Sequence, residues 1–209
     1  PIENDSESYS LGIDPATGRN LWKLERPKAA NWTTPVALPI KANGPRGVLL
    51  QSTKGVVAVD AANGKTLWEF GPSASSMSSS IVADGVVYVP AAGITALELP
   101  VEGREPVTKW NSRQINPSTV SPLLLKGRIY SVNSGGILTA ADAASGDVKW
   151  KLRLTGPFSG SPVGAGDRVG LVSEKGLLQI VDTTAPEGAV LGQVQLPLDA
   201  QSKELVLCT

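Results

Sequence analysis

Three short segments place an aspartate, a glycine and a tryptophan at identical offsets: GIDPATGRNLW (12–22), AVDAANGKTLW (58–68) and AADAASGDVKW (140–150). In each, the glycine follows the acid by four residues and the tryptophan by eight, giving Asp14/Gly18/Trp22, Asp60/Gly64/Trp68 and Asp142/Gly146/Trp150. A carboxylate beside a glycine-ended loop can hold calcium, move a proton, or fold the loop itself. Calcium loops of the D-x-[DN]-x-[DN]-G kind need oxygen ligands at alternating positions. DPATG, DAANG and DAASG each supply a single carboxylate and do not fit. The remaining reading is a turn. A short carboxylate at the turn entry accepts bonds from backbone N–H groups just downstream, and glycine at the far end supplies positive φ and completes a bulged hairpin loop.

Composition narrows the chemistry further. The 209-residue chain has no histidine, which removes histidine zinc sites, Ser-His-Asp triads and imidazole acid–base catalysis from these residues. Its single cysteine, Cys208, cannot form a disulfide within the chain. Lysine and arginine (19) balance aspartate and glutamate (19), with no block of like charge, which argues against a nucleic-acid surface or a polybasic membrane patch. No apolar run approaches the length of a membrane span. GAGDRVG (164–170) has a Gly-x-Gly but no helix to follow it, and reads as a hairpin rather than a phosphate loop. The glycosylation sequon Asn31-Trp32-Thr33 is a three-residue coincidence.

The elements that carry the motif form a repeat. ALELPVEGREPVTKW (96–110) is a degenerate copy with Glu98 for the acid and a longer turn before Trp110. IVDTTAPEGAVLG (180–192) keeps Asp182, stretches its turn to Gly188, and places Leu191 where tryptophan stands elsewhere. The acids at 14, 60, 98, 142 and 182 are spaced 46, 38, 44 and 40 apart, within the range of four-stranded propeller blades. Ahead of each motif comes a short apolar run, a glycine turn and a second β-rich run, as in SSIVADGVVYV (79–89) and SPLLLKGRIYSV (121–132). A third run, such as KGVVAVD (54–60), ends in the acid, and the run to tryptophan is the fourth. No amphipathic helix fits between the glycine and proline breaks. The class is all-β. Trp22, Trp68, Trp110 and Trp150 fall on outermost strands, where each ring fills the seam between neighbouring sheets; small residues before the acid leave room for close packing.

The G/A-x-D-x-x-[TSN]-G-x-x-x-W pattern, recurring at about 42 residues, closely resembles the PQQ-like β-propeller repeat. That repeat occurs in quinoprotein alcohol dehydrogenases and in outer-membrane assembly lipoproteins of the BamB type. The resemblance covers roughly residues 9–199. It implies four-stranded antiparallel blades, four to five of them here, where rings of the family have about seven or eight. The implied units are 9–24 (half a blade, opening inside a third strand), 32–70, 76–110, 119–154 and 158–196, with 200–209 as a first strand of a further blade. The whole reads as a single partial propeller domain over 1–209, a piece of a longer, processed or truncated chain.

Enzymes of the family hold PQQ with calcium at the propeller mouth, using aspartate, asparagine, glutamate and arginine, often with a vicinal disulfide. None of these can be assigned here, so no catalytic, cofactor or metal residue is named, and PQQ with calcium enters only under the enzyme alternative. The resemblance implies a non-catalytic scaffold for a protein partner in the bacterial periplasm or envelope, with any lipid anchor outside residues 1–209. The alternatives are a quinoprotein alcohol or sugar dehydrogenase fragment and a sensor for carbohydrate or small ligands. Candidate partner-facing loops surround Asn31, Trp32, Ser79 and Ser159.

Overall fold

The computed structural model describes residues 1–38, 47–71, 73–100 and 104–197. The strand proposed at 200–209, and residues 101–103 of the long turn before Trp110, lie outside the described residues. Among the described residues every regular element is a β-strand, and the strands form five sheets, each joined in simple sequence order. The first sheet contains β1 (Ile2–Glu3), β2 (Ser8–Ile13) and β3 (Asn20–Glu25). The second contains β4 (Val36–Ala37), β5 (Gly47–Ser52), β6 (Gly55–Asp60) and β7 (Thr66–Phe70). The third contains β8 (Ile81–Ala83), β9 (Val86–Pro90), β10 (Ile94–Glu98) and β11 (Val107–Ser112). The fourth contains β12 (Leu123–Leu125), β13 (Arg128–Val132), β14 (Ile137–Asp142) and β15 (Val148–Arg153). The fifth contains β16 (Val163–Ala165), β17 (Arg168–Val172), β18 (Leu177–Asp182) and β19 (Ala189–Gln195).

The first sheet differs from the half-blade expected at 9–24. β1 pairs antiparallel with β2, Ile2 opposite Tyr9 and Glu3 opposite Ser8, so the strand ending in Asp14 does have a strand before it. Two residues are too few to show an alternating pattern, which is why β1 is invisible in the sequence. Elsewhere the short first and second strands meet at tight hairpins. Asp84–Gly85 and Lys126–Gly127 both take positive φ at the two central positions, the twist that matches a two-residue hairpin.

The chain divides into two compact units, Pro1–Lys109 and Trp110–Thr209, with the division inside β11. In the first, Leu49, Val56, Ala58 and Trp68 pack with Val87, Val89 and Leu97. In the second, Tyr130, Val132, Leu138 and Trp150 pack with Val169, Leu171 and Val181. Each core is a layer between two sheets, built from alternate residues of the central strands as the period of two requires. The Tyr130 and Trp150 rings meet tilted at 53°, centroids 5.9 Å apart.

Candidate functional site

The repeated turn has one geometry. Asp14, Asp60 and Asp142 each accept the N–H of the glycine four residues on, at 2.8 Å, and donate their own N–H to Arg19, Lys65 and Asp147. Their carboxylates fold back on the loop: Asp14 accepts from Ala16 N–H and the Thr17 hydroxyl, Asp60 from Ala62 N–H and the Asn63 amide, Asp142 from Ala144 N–H. Asp182, at the stretched turn, accepts the N–H and hydroxyl of Thr184. Gly18, Gly64, Gly146 and Gly188 all have φ between 70 and 77°. Glu98 ends β10 opposite Val86.

These bonds set the electrostatics. The Thr17 hydroxyl and then the Ala16 N–H hold Asp14 below the ordinary carboxylate range, and the Thr184 hydroxyl and N–H do the same for Asp182. For Asp142, burial pushes upward, but the N–H groups of Ala144 and Ser145 and the nearby Lys149 cation outweigh it. Carboxylates kept ionised by their own loops serve the turn. Among the described residues, no three acidic, cysteine or histidine side chains come together to hold a metal.

The turn also receives the neighbouring tryptophan. Trp22 lies on Gly64, where a Cβ would stand 2.7 Å from the ring, and its Nε1 donates to Ala61 O at 2.8 Å. Trp110 covers Gly146 in the same way and donates to Ala143 O at 3.1 Å. Trp150 covers Gly188, but its Nε1 has no partner. The carbonyl in the matching place, that of Thr183, accepts Arg128 Nη1 instead. Trp68 is buried in the first core.

A register shift accompanies each turn and leaves one residue of the outermost strand unpaired: Leu21, Leu67, Lys149 and Leu191. The extra residue therefore sits within the outer strand rather than at the turn glycine. It also corrects the equivalence in the fifth sheet. Trp22, Trp68 and Trp150 pair with Gly12, Ala58 and Ala140, whereas Ile180, in the same register, pairs with Gly192. Gly192, not Leu191, occupies the tryptophan position, and the small–large pair is inverted there. Gly188 follows Asp182 by six positions rather than four, which shifts the count from the acid by two and hides this from an alignment on the aspartate.

The loops around Asn31, Trp32 and Ser79 come together, whereas Ser159 belongs to the second unit and donates to Glu174 Oε1. Asn31 is half-buried and donates to Glu3, Thr33 and the Gln51 carbonyl, which leaves its amide unavailable for glycosylation. Arg26 forms a buried ion pair with Glu3 at 2.8 Å and also donates to Gln51 O. The Gln51 side chain donates to Ser75 O and Ser78 O and accepts from Ser80 N–H and hydroxyl. Thr34 N–H donates to the Ser79 hydroxyl, and Trp32 N–H to Ser76 O. This network pins both loops while Trp32 and Met77 stay outside it, 65% and 42% exposed. Beside it, an open groove of about 280 Å³ is walled by Pro27, Ser52, Lys54, Glu69 and Phe70. Sequence reasoning missed Glu3, Arg26 and Gln51, which are separated along the chain and carry no motif.

Five antiparallel sheets joined in sequence, with a tryptophan of one sheet over the Asp–Gly turn of the next, define a β-propeller of PQQ-like repeats. The family model described as outer membrane protein assembly factor BamB matches residues 9–126 and 109–195, and the chain belongs to that family. It is 25% identical over 159 residues to the outer membrane protein assembly factor BamB of Nitrosomonas eutropha, covering 73% of this chain and 36% of that protein. The crystal structure of BamB from Moraxella catarrhalis superposes with a TM-score of 0.70 at 18% identity, over 93% of this chain and 59% of that one. The chain thus spans about a third of the length of the curated relative. Among the described residues, no helix is long and apolar enough to cross a membrane.

Proposed function

We propose that this chain is a non-catalytic, protein-binding scaffold of the bacterial cell envelope, using no cofactor. Family membership and a relative named as an outer-membrane protein assembly factor support the envelope setting. One observation carries the binding role: Trp32 is largely exposed on a loop whose flanking residues are fixed by the buried Glu3–Arg26–Gln51 network. A large aromatic presented on a rigid backbone loses little entropy on docking, and tryptophan is over-represented among residues that dominate interface energies. The turn carboxylates, each bonded within its own loop, support the absence of catalysis.

Capture from periplasmic extract on the tagged full chain tests the proposal. A specifically enriched envelope protein, lost with Trp32→Ala, is expected. No enriched protein, or equal capture by the variant, overturns it. Adding PQQ and calcium is expected to give no alcohol- or sugar-dependent dye reduction above a no-PQQ control.

A further inference from the structure

The outermost strands of the five sheets can be compared position by position around the tryptophan or its equivalent. Just before it stand Leu21, Leu67, Lys109, Lys149 and Leu191, and just after it Lys23, Glu69, Asn111, Lys151 and Gln193. Three places after it stand Glu25, Gly71, Arg113, Arg153 and Gln195. Only the copy on β15 has a cation at all three positions, and that strand carries no acid. A charge on an outermost strand discourages pairing with a stray strand, and β7 meets that need with Glu69 alone. On β3 the two charges neutralise each other, Lys23 and Glu25 lying 3.0 Å apart. Three cations of one sign go beyond what blunting an edge requires.

All three cations of β15 are exposed, while Trp150 between them is buried over Gly188. Leu152 packs on the core of the second unit, so the alternation of a strand puts Lys151 and Arg153 together on the other face. Lys151 stands opposite Thr139 and Arg153 opposite Ile137, so the neighbouring strand supplies no acid to either. Their Cα atoms are about 7 Å apart, two residues of extended chain. Lys149, at the bulge, lies 3.7 Å from Asp142, and Arg153 donates from Nη1 to Gly135 O at 2.7 Å. Among the described residues, neither Lys151 nor Arg153 has a carboxylate partner. Like charges held side by side on one strand repel, and an anion placed between them relieves the repulsion. The strip belongs to an interior copy of the repeat, with Trp110 covering Gly146 of its sheet and Trp150 covering Gly188 of the next.

We propose that β15 is a docking strip for an acidic, extended segment of a partner protein, with carboxylates at every second residue. An extended chain repeats its side chains at the same spacing of about 7 Å, so two alternate acids meet Lys151 and Arg153 together. A third acid then falls towards Lys149. Arg153 has one donor committed to Gly135 O, and its remaining donors can take a carboxylate through two parallel bonds, while Lys151 adds a point charge. A flat anionic surface gains nothing from this spacing, which favours a peptide over lipid headgroups. The inference deepens the scaffold reading and rests on it for the identity of the partner as a protein.

The probe is a capped heptapeptide of alternating threonine and glutamate, beginning and ending in threonine. It is titrated into the isotope-labelled full chain at about 20 mM salt, where screening is small, and backbone amide resonances are followed. Saturable shifts centred on Lys149–Arg153 are expected. Affinity should fall about tenfold or more in the Lys151→Glu/Arg153→Glu variant. It should fall about threefold or more for a heptapeptide with its three glutamates in a row, and vanish with glutamine in their place. The Lys28→Glu/Lys65→Glu variant, which changes the net charge equally at exposed lysines elsewhere, should bind within about twofold of the parent. Absence of saturable shifts at β15 overturns the strip. So does equal binding by either altered peptide or by the folded Lys151→Glu/Arg153→Glu variant, or equal loss in the remote one. Should circular dichroism show the β15 variant unfolded, Lys151→Gln replaces it; about a threefold loss is expected, and unchanged affinity overturns the strip. Binding to phosphatidylglycerol vesicles that the β15 variant loses, without peptide binding, would assign the strip to a membrane surface and overturn the peptide reading. Peptide binding without any captured envelope partner overturns the scaffold alone; partner capture without peptide binding overturns the strip alone.

Discussion

Gly18 and Gly64 occupy the same place in two copies of one turn, with φ of 70 and 72°, yet their surroundings differ. A Cβ on Gly18 meets nothing within 4 Å, whereas a Cβ on Gly64 stands 2.7 Å from the Trp22 ring. Gly18→Ala therefore carries only the left-handed backbone cost of an L-residue, about 1–2 kcal/mol. Gly64→Ala carries that cost plus overpacking of the ring, about 1–3 kcal/mol more. Urea unfolding followed by far-ultraviolet circular dichroism measures both. In a Trp22→Leu background the excess at position 64 should vanish, leaving the two glycine substitutions equal within about 0.5 kcal/mol. Equal losses in the native background, or an excess that survives removal of the ring, would refute the claim that the tryptophan is wedged on the turn glycine.

Gln51→Leu removes the buried bonds to Ser75 O and Ser78 O and from Ser80 N–H, and should cost about 3 kcal/mol or more in the same unfolding assay. Trp110→Phe removes the bond to Ala143 O, whereas Trp150→Phe removes an unpaired N–H, so the first should lose about 1 kcal/mol more hydrogen-bond stability once cavity size is matched by calorimetry on both. The lowered pKa of Asp14 and Asp182 means that the folded state binds protons less readily than the unfolded chain. Their contribution is present above the unfolded carboxylate value and lost as pH falls through and below it. Asp14→Asn/Asp182→Asn should flatten stability against pH below about 4 and leave the neutral-to-basic slope unchanged. Trp32→Ala, at an exposed site, should leave thermal unfolding within about 0.5 kcal/mol of the parent while removing partner capture.

The repeat is the most legible part of the molecule because one turn solves the same problem several times. Asp14, Asp60 and Asp142 need a short acid to cap the loop, and the glycines need positive φ, so types and spacing recur together. The strands follow from alternation, since β9 and β13 bury nearly every residue between glycine turns. β1 escapes because two residues hold no period. Gly192 escapes because equivalence is set by strand register, which the stretched turn displaces. The Glu3–Arg26–Asn31–Gln51 cluster escapes for a further reason: its members meet only through folding, 20 to 28 residues apart along the chain, and Gln51 lies in an otherwise apolar run. Trp32 was readable as a candidate, but the rigidity that makes it an anchor lies in that hidden cluster.

The most direct measurement of the scaffold role is site-specific photocrosslinking in the native host, with a benzophenone amino acid replacing Trp32 in the full chain. The account predicts a discrete adduct with an envelope protein from position 32 and none when the same group replaces Glu187, beside an outer-strand turn. No adduct at position 32, or the same adducts from both positions, would contradict it.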